Sequence, residues 1–225
     1  LTAIISYMGG AEITNDYAEI FCFQNLYNAH MSARKLKRHK KDVILFETNL
    51  AGNLWRLNEM LINKAYRITN YNRFTIYEPK KREIQALTYS DRVIQNCLCA
   101  NYLAAFIDKR LIFDNCACRK GKGTDFGRER LTGFMREHYK INGNQGYILK
   151  ADIKGFFANI DHYVLKLKLN KVITNPDILD LLEMIIDSYN ADTGRGLPMG
   201  NQTSQLFALY YLDPLDRLIK EKFQI

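Results

Sequence analysis

The sequence has no long uninterrupted apolar run and no recognisable leader segment. No stretch approaches the roughly 20 apolar residues that a helix needs to cross a bilayer. Residues 1–7 are too short for a secretion signal and lack its basic flank. These absences argue against membrane-spanning and secreted classes, and they predict a cytoplasmic protein with no membrane partner.

Cysteine is sparse and odd in number. The five cysteines, together with the missing secretion signal, favour reduced thiols in packing positions over a disulfide framework. The alternative is a zinc site built from the two C-x-C pairs, Cys97 with Cys99 and Cys116 with Cys118. Structural zinc sites prefer wider spacing, and helical residues two apart point to different faces. We therefore expect packing roles for these four and for Cys22.

Repeats, low-complexity tracts and flexible linkers are also missing, so the chain is expected to fold as one domain or two closely packed subdomains. Its 225 residues are 47% hydrophobic, which is enough to bury a sizeable core. The 32 Lys and Arg residues exceed the 24 Asp and Glu residues and give a formal net charge of +8. Such a surface attracts polyanions, of which nucleic acid is the commonest partner of a folded protein.

Basic residues concentrate in residues 34–41. A charge run of this kind is typical of a solvated helix end, but it can also contact RNA phosphates without reading sequence. The candidate RNA-binding residues of this run are Arg34, Lys35, Lys37, Arg38, Lys40 and Lys41. A second basic segment, residues 119–124, is rich in glycine and does not match the phosphate-binding P-loop pattern.

Hydrophobic periodicity predicts an α+β arrangement of helices packed with a small antiparallel sheet. Residues 73–78 and 81–86 predict a hairpin with basic residues at its tip. Residues 146–152 predict a buried strand, and residues 194–200 a loop. The predicted helices cover residues 16–38, 43–61, 90–107 with Ser90 or Asp91 as cap, 124–140 with Thr124 or Asp125 as cap, a short helix from 161, 177–188 and 203–222.

The most informative segment follows the predicted strand. Asp152 ends a strand that is apolar on both faces, Phe156 and Phe157 come next, and residues 160–162 read Ile-Asp-His. An isolated aspartate at a strand end is usually a turn former or cap. This combination resembles the first catalytic motif of reverse transcriptases, while Asp161 is expected to cap the helix that starts near residue 162.

Further segments resemble the same family in the same order along the chain. Residues 196–205, Gly-Leu-Pro-Met-Gly-Asn-Gln-Thr-Ser-Gln, are similar to its G-x-P-x-G-x-x-x-S stretch. Residues 74–84 and 90–95 resemble the fingertip hairpin and the Asp-Arg-Val-Ile-Gln helix of intron and diversity-generating reverse transcriptases. Residues 115–126 resemble the family's arginine-glycine loop. The chain is therefore identified as similar to reverse transcriptases of the group II intron type.

The resemblance implies a role for each matched residue. Asp152 and the carbonyl of Ile153 would bind Mg²⁺, of which the complete enzyme uses two. Phe157 would exclude a ribose 2′-hydroxyl, and Arg82 would hold the nucleotide triphosphate with Lys80 or Lys81. The floor under the template–nucleotide base pair would comprise Pro198, Met199, Gly200 and Gln202, and the RNA-contacting loop Arg119, Lys120 and Lys122.

The resemblance also implies an organisation and partners. Residues 1–145 would be the fingers of a right-hand polymerase with an amino-terminal extension, and residues 146–225 a partial palm that stops before the Asp-Asp hairpin. The intact protein would be an RNA-directed DNA polymerase and maturase that binds an RNA template, intron RNA, a DNA primer and deoxynucleotide triphosphates. The segment alone is expected to bind Mg²⁺ poorly, to be inactive, and to self-associate as a homodimer.

Two alternatives stay open from the sequence. A non-catalytic RNA-binding module would use the same basic segments without polymerising. A diversity-generating or retron-type reverse transcriptase would share the same motifs. The residues that follow position 225 would separate the enzyme from the binding module.

Overall fold

A computed structural model describes residues 14–68, 70–79, 81–190 and 192–223. It confirms the predicted α+β class, since the chain combines helices with a two-stranded antiparallel sheet. The elements are α1 Tyr17–Ile20, α2 Phe23–Ala33, α3 Lys41–Glu47, α4 Leu50–Ile62, β1 Tyr71–Ile76, β2 Arg82–Leu87, α5 Tyr89–Leu98, α6 Ala104–Asp108, α7 Thr124–Asn142, α8 Phe156–Asn159, α9 His162–Asn170, α10 Pro176–Asp187 and α11 Gln202–Arg217. π-Helical segments, Cys99–Leu103 and Leu218–Lys222, join α5 to α6 and extend α11.

One hydrophobic core connects the amino-terminal helices to the last one. Leu26 of α2, Ile94 of α5, Leu182 of α10 and Phe207 of α11 are all buried members of the same cluster. Burying such side chains stabilises the fold by about 1.5–3 kcal/mol each. The core therefore holds the chain segments that carry the sequence motifs against one another.

The predicted hairpin is confirmed, with strands that lie slightly differently from the expected bounds. β1 and β2 pair in antiparallel register from Tyr71 opposite Leu87 to Ile76 opposite Arg82. The hydroxyl of Tyr71 shares a hydrogen bond of 2.8 Å with the Ser188 hydroxyl, which attaches the base of the hairpin to the end of α10. This contact is non-local, so local β-propensity could not place the start of the strand.

The first two predicted helices are wrong in one respect: each is divided. The Asn25 amide donates to the Glu19 carbonyl at 2.9 Å beside the break between α1 and α2. The Asn53 amide donates to the Phe46 carbonyl at 2.9 Å beside the break between α3 and α4. Side-chain amides that satisfy carbonyls at helix ends allow the chain to change direction there.

The basic run is not helical, in contrast to the prediction of a helix up to residue 38. α2 ends at Ala33 and α3 begins at Lys41, and the residues between them form turns. Leu36 has a positive φ of 60°, which an L-residue in a helix does not adopt. Residues 34–40 of the run therefore form a turn between two helices, and this turn is called the basic turn below.

The predicted caps of two helices are wrong. Thr88, and neither Ser90 nor Asp91, caps α5 by accepting from the Asp91 amide at 3.3 Å. The Asp91 carboxylate is buried and accepts instead from the Tyr66 hydroxyl at 2.8 Å. Gly123 occupies the cap position of α7, without a side-chain cap from Thr124 or Asp125.

The packing role predicted for cysteine is confirmed at two positions. Cys97 and Cys99 are buried in the core, and Cys97 Sγ donates to the Ile20 carbonyl at 3.2 Å. Burial raises the pKa of Cys97 to about 12, and it also raises the pKa of Cys99. Both thiols are therefore protonated at neutral pH. Cys22, Cys116 and Cys118 are free as well, and they are more accessible.

The buried strand predicted for residues 146–152 is wrong. This segment is irregular and exposed, and the Tyr147 and Leu149 side chains are 104% and 92% accessible. Extended backbone needs partners for its N–H and C=O groups. Among the residues that the structure describes, β1 and β2 form the sheet and pair only with each other. An apolar sequence alone could not reveal that no neighbouring strand is there.

The helices after this segment agree well with the predictions. The Asp161 carboxylate accepts from the Val164 amide at 3.1 Å and caps α9, as expected. α10 and α11 occupy the predicted regions, and residues 194–200 form the predicted loop. Across the described ranges, every helix is too short or too polar to cross a membrane.

Candidate functional site

A cleft of about 400 Å³ lies where the hairpin, the basic turn, α5 and the start of α11 meet. Segments far apart in sequence contribute to its walls, and several of them carry the motifs described above. The lining residues are Ser32, Ala33, Lys35, Lys37, Lys40, Phe74, Ile84, Ala86, Leu87, Arg92, Gln95, Asn96, Met199, Gly200, Asn201 and Gln202. The folded chain therefore brings the fingertip-like hairpin, the Asp-Arg-Val-Ile-Gln helix and residues 194–200, here called the glycine-proline loop, to one concave surface.

One wall of this cleft is strongly cationic. Lys35, Lys37 and Lys40 come from the basic turn, and Arg92 comes from the first turns of α5. Partial burial lowers the pKa of Lys37, and the charges of Arg92 and Lys40 lower it further, while Asp42 acts in the opposite direction. A polyanion that binds between crowded cations of this kind relieves their mutual repulsion, so its binding is favourable.

A second wall of the cleft is polar, and a buried hydrogen bond stabilises it. The Thr203 hydroxyl donates to Gln95 Oε1 at 2.8 Å, which fixes α11 against α5. Gln95 Nε2 and Asn201 Nδ2 are buried and have no hydrogen-bond partner within the described protein. Buried donors without partners are costly, so these two amides favour a ligand or water that supplies acceptors.

The glycine-proline loop is attached by backbone hydrogen bonds to the segment that follows Asp152. The Leu197 amide donates to the Phe157 carbonyl at 2.8 Å, and the Gly196 amide donates to the Ile160 carbonyl at 2.8 Å. Gly196 has a φ of +94°, and a Cβ at this position would lie 3.2 Å from the Ala158 carbonyl oxygen. Glycine is therefore required where the loop passes over α8. Pro198 is buried in this loop.

Phe157 lies on α8 and is half-buried. Its ring centroid is 5.8 Å from that of Phe156, and both rings pack against the core. The Phe156 ring also lies 6.4 Å from the Tyr211 ring of α11. The two neighbouring aromatics thus have different surroundings, and Phe157 is the one whose carbonyl is bonded to the glycine-proline loop.

Asp152 and Ile153 lie in the exposed segment that leads into α8. Their carboxylate and carbonyl oxygens are hard donors of the type that Mg²⁺ prefers. In the part of the chain described here, however, no three Asp, Glu, His or Cys side chains are gathered into a metal-binding group. These donors therefore have the right chemistry, and a complete two-metal site would need further ligands.

The predicted triphosphate-binding residues lie at the hairpin tip. Lys81 is exposed there. Lys80 and the side chain of Arg82 lie outside the described residues, although the Arg82 backbone pairs with Ile76. The predicted phosphate contacts of these residues stay predictions.

The predicted RNA-binding residues of the basic run, residues 34–41, differ in their surroundings. Arg34 Nη1 donates to Glu47 Oε1 at 2.7 Å, so this guanidinium anchors the turn to α3. Arg38 and Lys41 are exposed, and Arg38 lines a neighbouring open groove. Of the six predicted residues, Lys35, Lys37 and Lys40 are the ones that line the cleft.

The second basic loop is shaped by internal contacts. Arg119 Nη1 donates to the carbonyls of Ile112 and Asn115 at 2.7 and 3.1 Å, and its Nε pairs with Asp108. The Lys122 ammonium lies 4.1 Å from the centroid of the Phe113 ring. Arg119 and Lys122 therefore stabilise the loop, while Lys120 is exposed on it.

Sequence reasoning placed Arg92, Gln95 and Asn201 in matched segments but gave them no role, although all three line the cleft. A helical spacing of three places Arg92 and Gln95 on the same face of α5, which is a signal that the sequence contains. Asn201 has no comparable local signal, because its place depends on how the loop before α11 folds.

Comparison with known proteins identifies no matching family model and no matching curated protein. The functional interpretation of this chain therefore depends on its motifs and on the geometry that brings them together.

Proposed function

We propose that this chain is the fingers and part of the palm of a cytoplasmic RNA-directed DNA polymerase of the group II intron type, which also binds intron RNA as a maturase. The observation that carries the proposal is the cleft, because it unites the hairpin, the Asp-Arg-Val-Ile-Gln helix and the glycine-proline loop. The hydrogen bond from the Leu197 amide to the Phe157 carbonyl adds the segment after Asp152 to the same assembly.

In this proposal the cleft holds an RNA template and the incoming deoxynucleotide. Lys35, Lys37 and Lys40 neutralise backbone phosphates, which positions the strand without reading its sequence. Met199 and Gly200 lie beneath the template–nucleotide base pair. The unpaired side-chain amides of Gln95 and Asn201 donate to polar atoms of that base pair. Asp152 and Ile153 are the proposed metal ligands; Mg²⁺ supplies charge stabilisation when it is bound together with further ligands.

Substituting Lys35, Lys37 and Lys40 by alanine should weaken RNA binding by this chain and reduce its dependence on salt. Each phosphate contact to single-stranded RNA contributes about 0.7 to the slope of log affinity against log salt concentration. Loss of three contacts should therefore make the negative slope shallower by about 2. Fluorescence anisotropy with a labelled single-stranded RNA over a salt series measures this slope.

The matched control replaces Lys109, Lys140 and Lys171, three exposed lysines away from the cleft, by alanine. It removes the same net charge and should leave the slope nearly unchanged. An equal decrease in both triple variants would show that RNA binds by overall charge and does not occupy the cleft.

We also propose that the chain by itself forms a homodimer. The apolar residues Tyr147, Ile148 and Leu149 are exposed in an irregular segment outside the sheet, and such an apolar surface favours association with a second copy. Light scattering should show dimers, and Leu149→Lys should shift them to monomer. Tyr163→Lys, at another exposed position, is the control. Monomer alone at high concentration of the unmodified chain would contradict this proposal.

A second candidate function is a non-catalytic RNA-binding module. It is favoured by one observation, namely that Asp152 is not part of an acidic cluster within the described residues. RNA-templated primer extension by the full-length protein that contains this chain separates the two functions. The glycine-proline loop does not distinguish an intron enzyme from a diversity-generating or retron-type relative.

A further inference from the structure

We infer that His162 is a positioning residue that holds the proposed nucleotide-binding floor in place. The inference rests on the proposed function and deepens it, because it names the side chain that fixes the glycine-proline loop. His162 is the first residue of α9 and follows the cap Asp161. Its side chain is 3% exposed, so it is enclosed by protein between the loop and the end of α10.

The hydrogen bond that carries the inference joins the imidazole to the loop. His162 Nε2 lies 2.7 Å from the Gly196 carbonyl oxygen. A carbonyl oxygen can only accept, so Nε2 carries the proton and donates. The backbone amide of His162 also donates to the Gly194 carbonyl at 3.0 Å. One residue therefore binds the loop through its side chain and through its main chain.

The opposite edge of the ring faces a charged pair. His162 Nδ1 lies 3.6 Å from Asp187 Oδ1, and Asp187 Oδ2 accepts from the Lys166 ammonium at 2.6 Å. Asp187 is the last residue of α10, and Lys166 belongs to α9. The ring therefore lies beside the end of α10, which the Lys166 ion pair joins to α9, and its enclosure by protein limits the directions that its Nε2–H group can take.

The loop needs such an anchor because of its glycines. Gly196 and Gly200 both have positive φ, and glycine backbone rotates more freely than that of any other residue. A rotation of the peptide after Gly196 would break the Leu197 hydrogen bond to Phe157 and displace the residues that follow. Two of these, Met199 and Gly200, line the cleft. His162 thus determines the position of the floor without touching the substrate.

Two conservative variants separate this role from simple packing. The amide nitrogen of His162→Gln can occupy the place of Nε2 and donate to Gly196, whereas the shorter side chain of His162→Asn cannot reach it. His138→Ala is the control, since His138 Nε2 is also 2.6 Å from a carbonyl oxygen, that of Gln145, but on exposed α7. Circular dichroism verifies that each variant is folded.

The first measurement is amide hydrogen exchange at Gly196 and Leu197 in this chain, which requires no enzymatic activity. Exchange should be about tenfold faster in His162→Asn, and close to the unmodified chain in His162→Gln and His138→Ala. Equal exchange in the unmodified chain and in His162→Asn would overturn the inference that His162 holds the loop.

The second measurement is primer extension by the full-length protein that contains this chain. The KM for deoxynucleotide should rise about tenfold in His162→Asn with kcat within about twofold, and His162→Gln should restore it. An unchanged KM in His162→Asn would overturn the positioning role. Absence of extension by the unmodified protein would overturn the proposed function and the floor role, while the exchange rates independently test the hydrogen bond to the loop.

Discussion

Replacing Asp152 by alanine should abolish RNA-templated DNA synthesis by the full-length protein and leave its affinity for RNA within about twofold. The change removes the proposed metal-binding carboxylate, and metal ions contribute several kcal/mol of charge stabilisation, which corresponds to a loss of about 100-fold or more. RNA affinity should persist because the lysines that line the cleft are untouched. Primer extension and fluorescence anisotropy on the same preparation measure the two properties.

The control for this change is Asp125→Ala. Asp125 is an exposed carboxylate on α7, paired with Arg128 at 3.1 Å, and it lies outside the cleft. Its removal alters the net charge by the same amount and should leave extension unchanged. Extension that persists in Asp152→Ala would contradict the assignment of Asp152 as a metal ligand.

Replacing Phe157 by alanine should make the full-length protein accept ribonucleotides more readily. In the proposed function the Phe157 ring lies beside the sugar of the incoming nucleotide and excludes a 2′-hydroxyl by size. Steric discrimination of this kind is worth about 1–3 kcal/mol, or about 10-fold to 200-fold in selectivity. The ratio of kcat/KM for a deoxynucleotide to that for the matching ribonucleotide should fall by about tenfold or more.

Phe156→Ala is the matched control for the ring. It removes an equal side chain from the adjacent position, where the ring packs towards Tyr211 of α11. Both variants should lose some thermal stability, since both rings pack against the core. Selectivity should change in Phe157→Ala alone. Unchanged selectivity in Phe157→Ala, or an equal change in both variants, would contradict the role given to Phe157.

Features of the fold that depend on neighbours in sequence were predicted well. The Asp161 cap, the bounds of α10 and the hairpin follow from capping residues and alternation that a few consecutive positions contain. The breaks beside Asn25 and Asn53 were missed, because hydrophobic periodicity continues across them and side-chain amides end the helices.

Features that depend on distant partners were not predictable in the same way. The apolar run at residues 146–152 has the composition of a buried strand, but a strand forms only where another provides hydrogen bonds. The cleft likewise depends on tertiary packing, since it sets Lys37 beside Arg92 and Gln95 beside Thr203. The sequence indicated the basic run and the glycine-proline loop separately, and only the folded chain shows that they share one surface.

The most direct test of the proposed polymerase is primer extension by the full-length protein with an RNA template, an annealed DNA primer, deoxynucleotides and Mg²⁺. We expect elongation of the primer that requires the RNA template and stops at its end. A preparation that binds the RNA and DNA pair, yet adds no nucleotide to the primer, would contradict the proposal and favour the RNA-binding module.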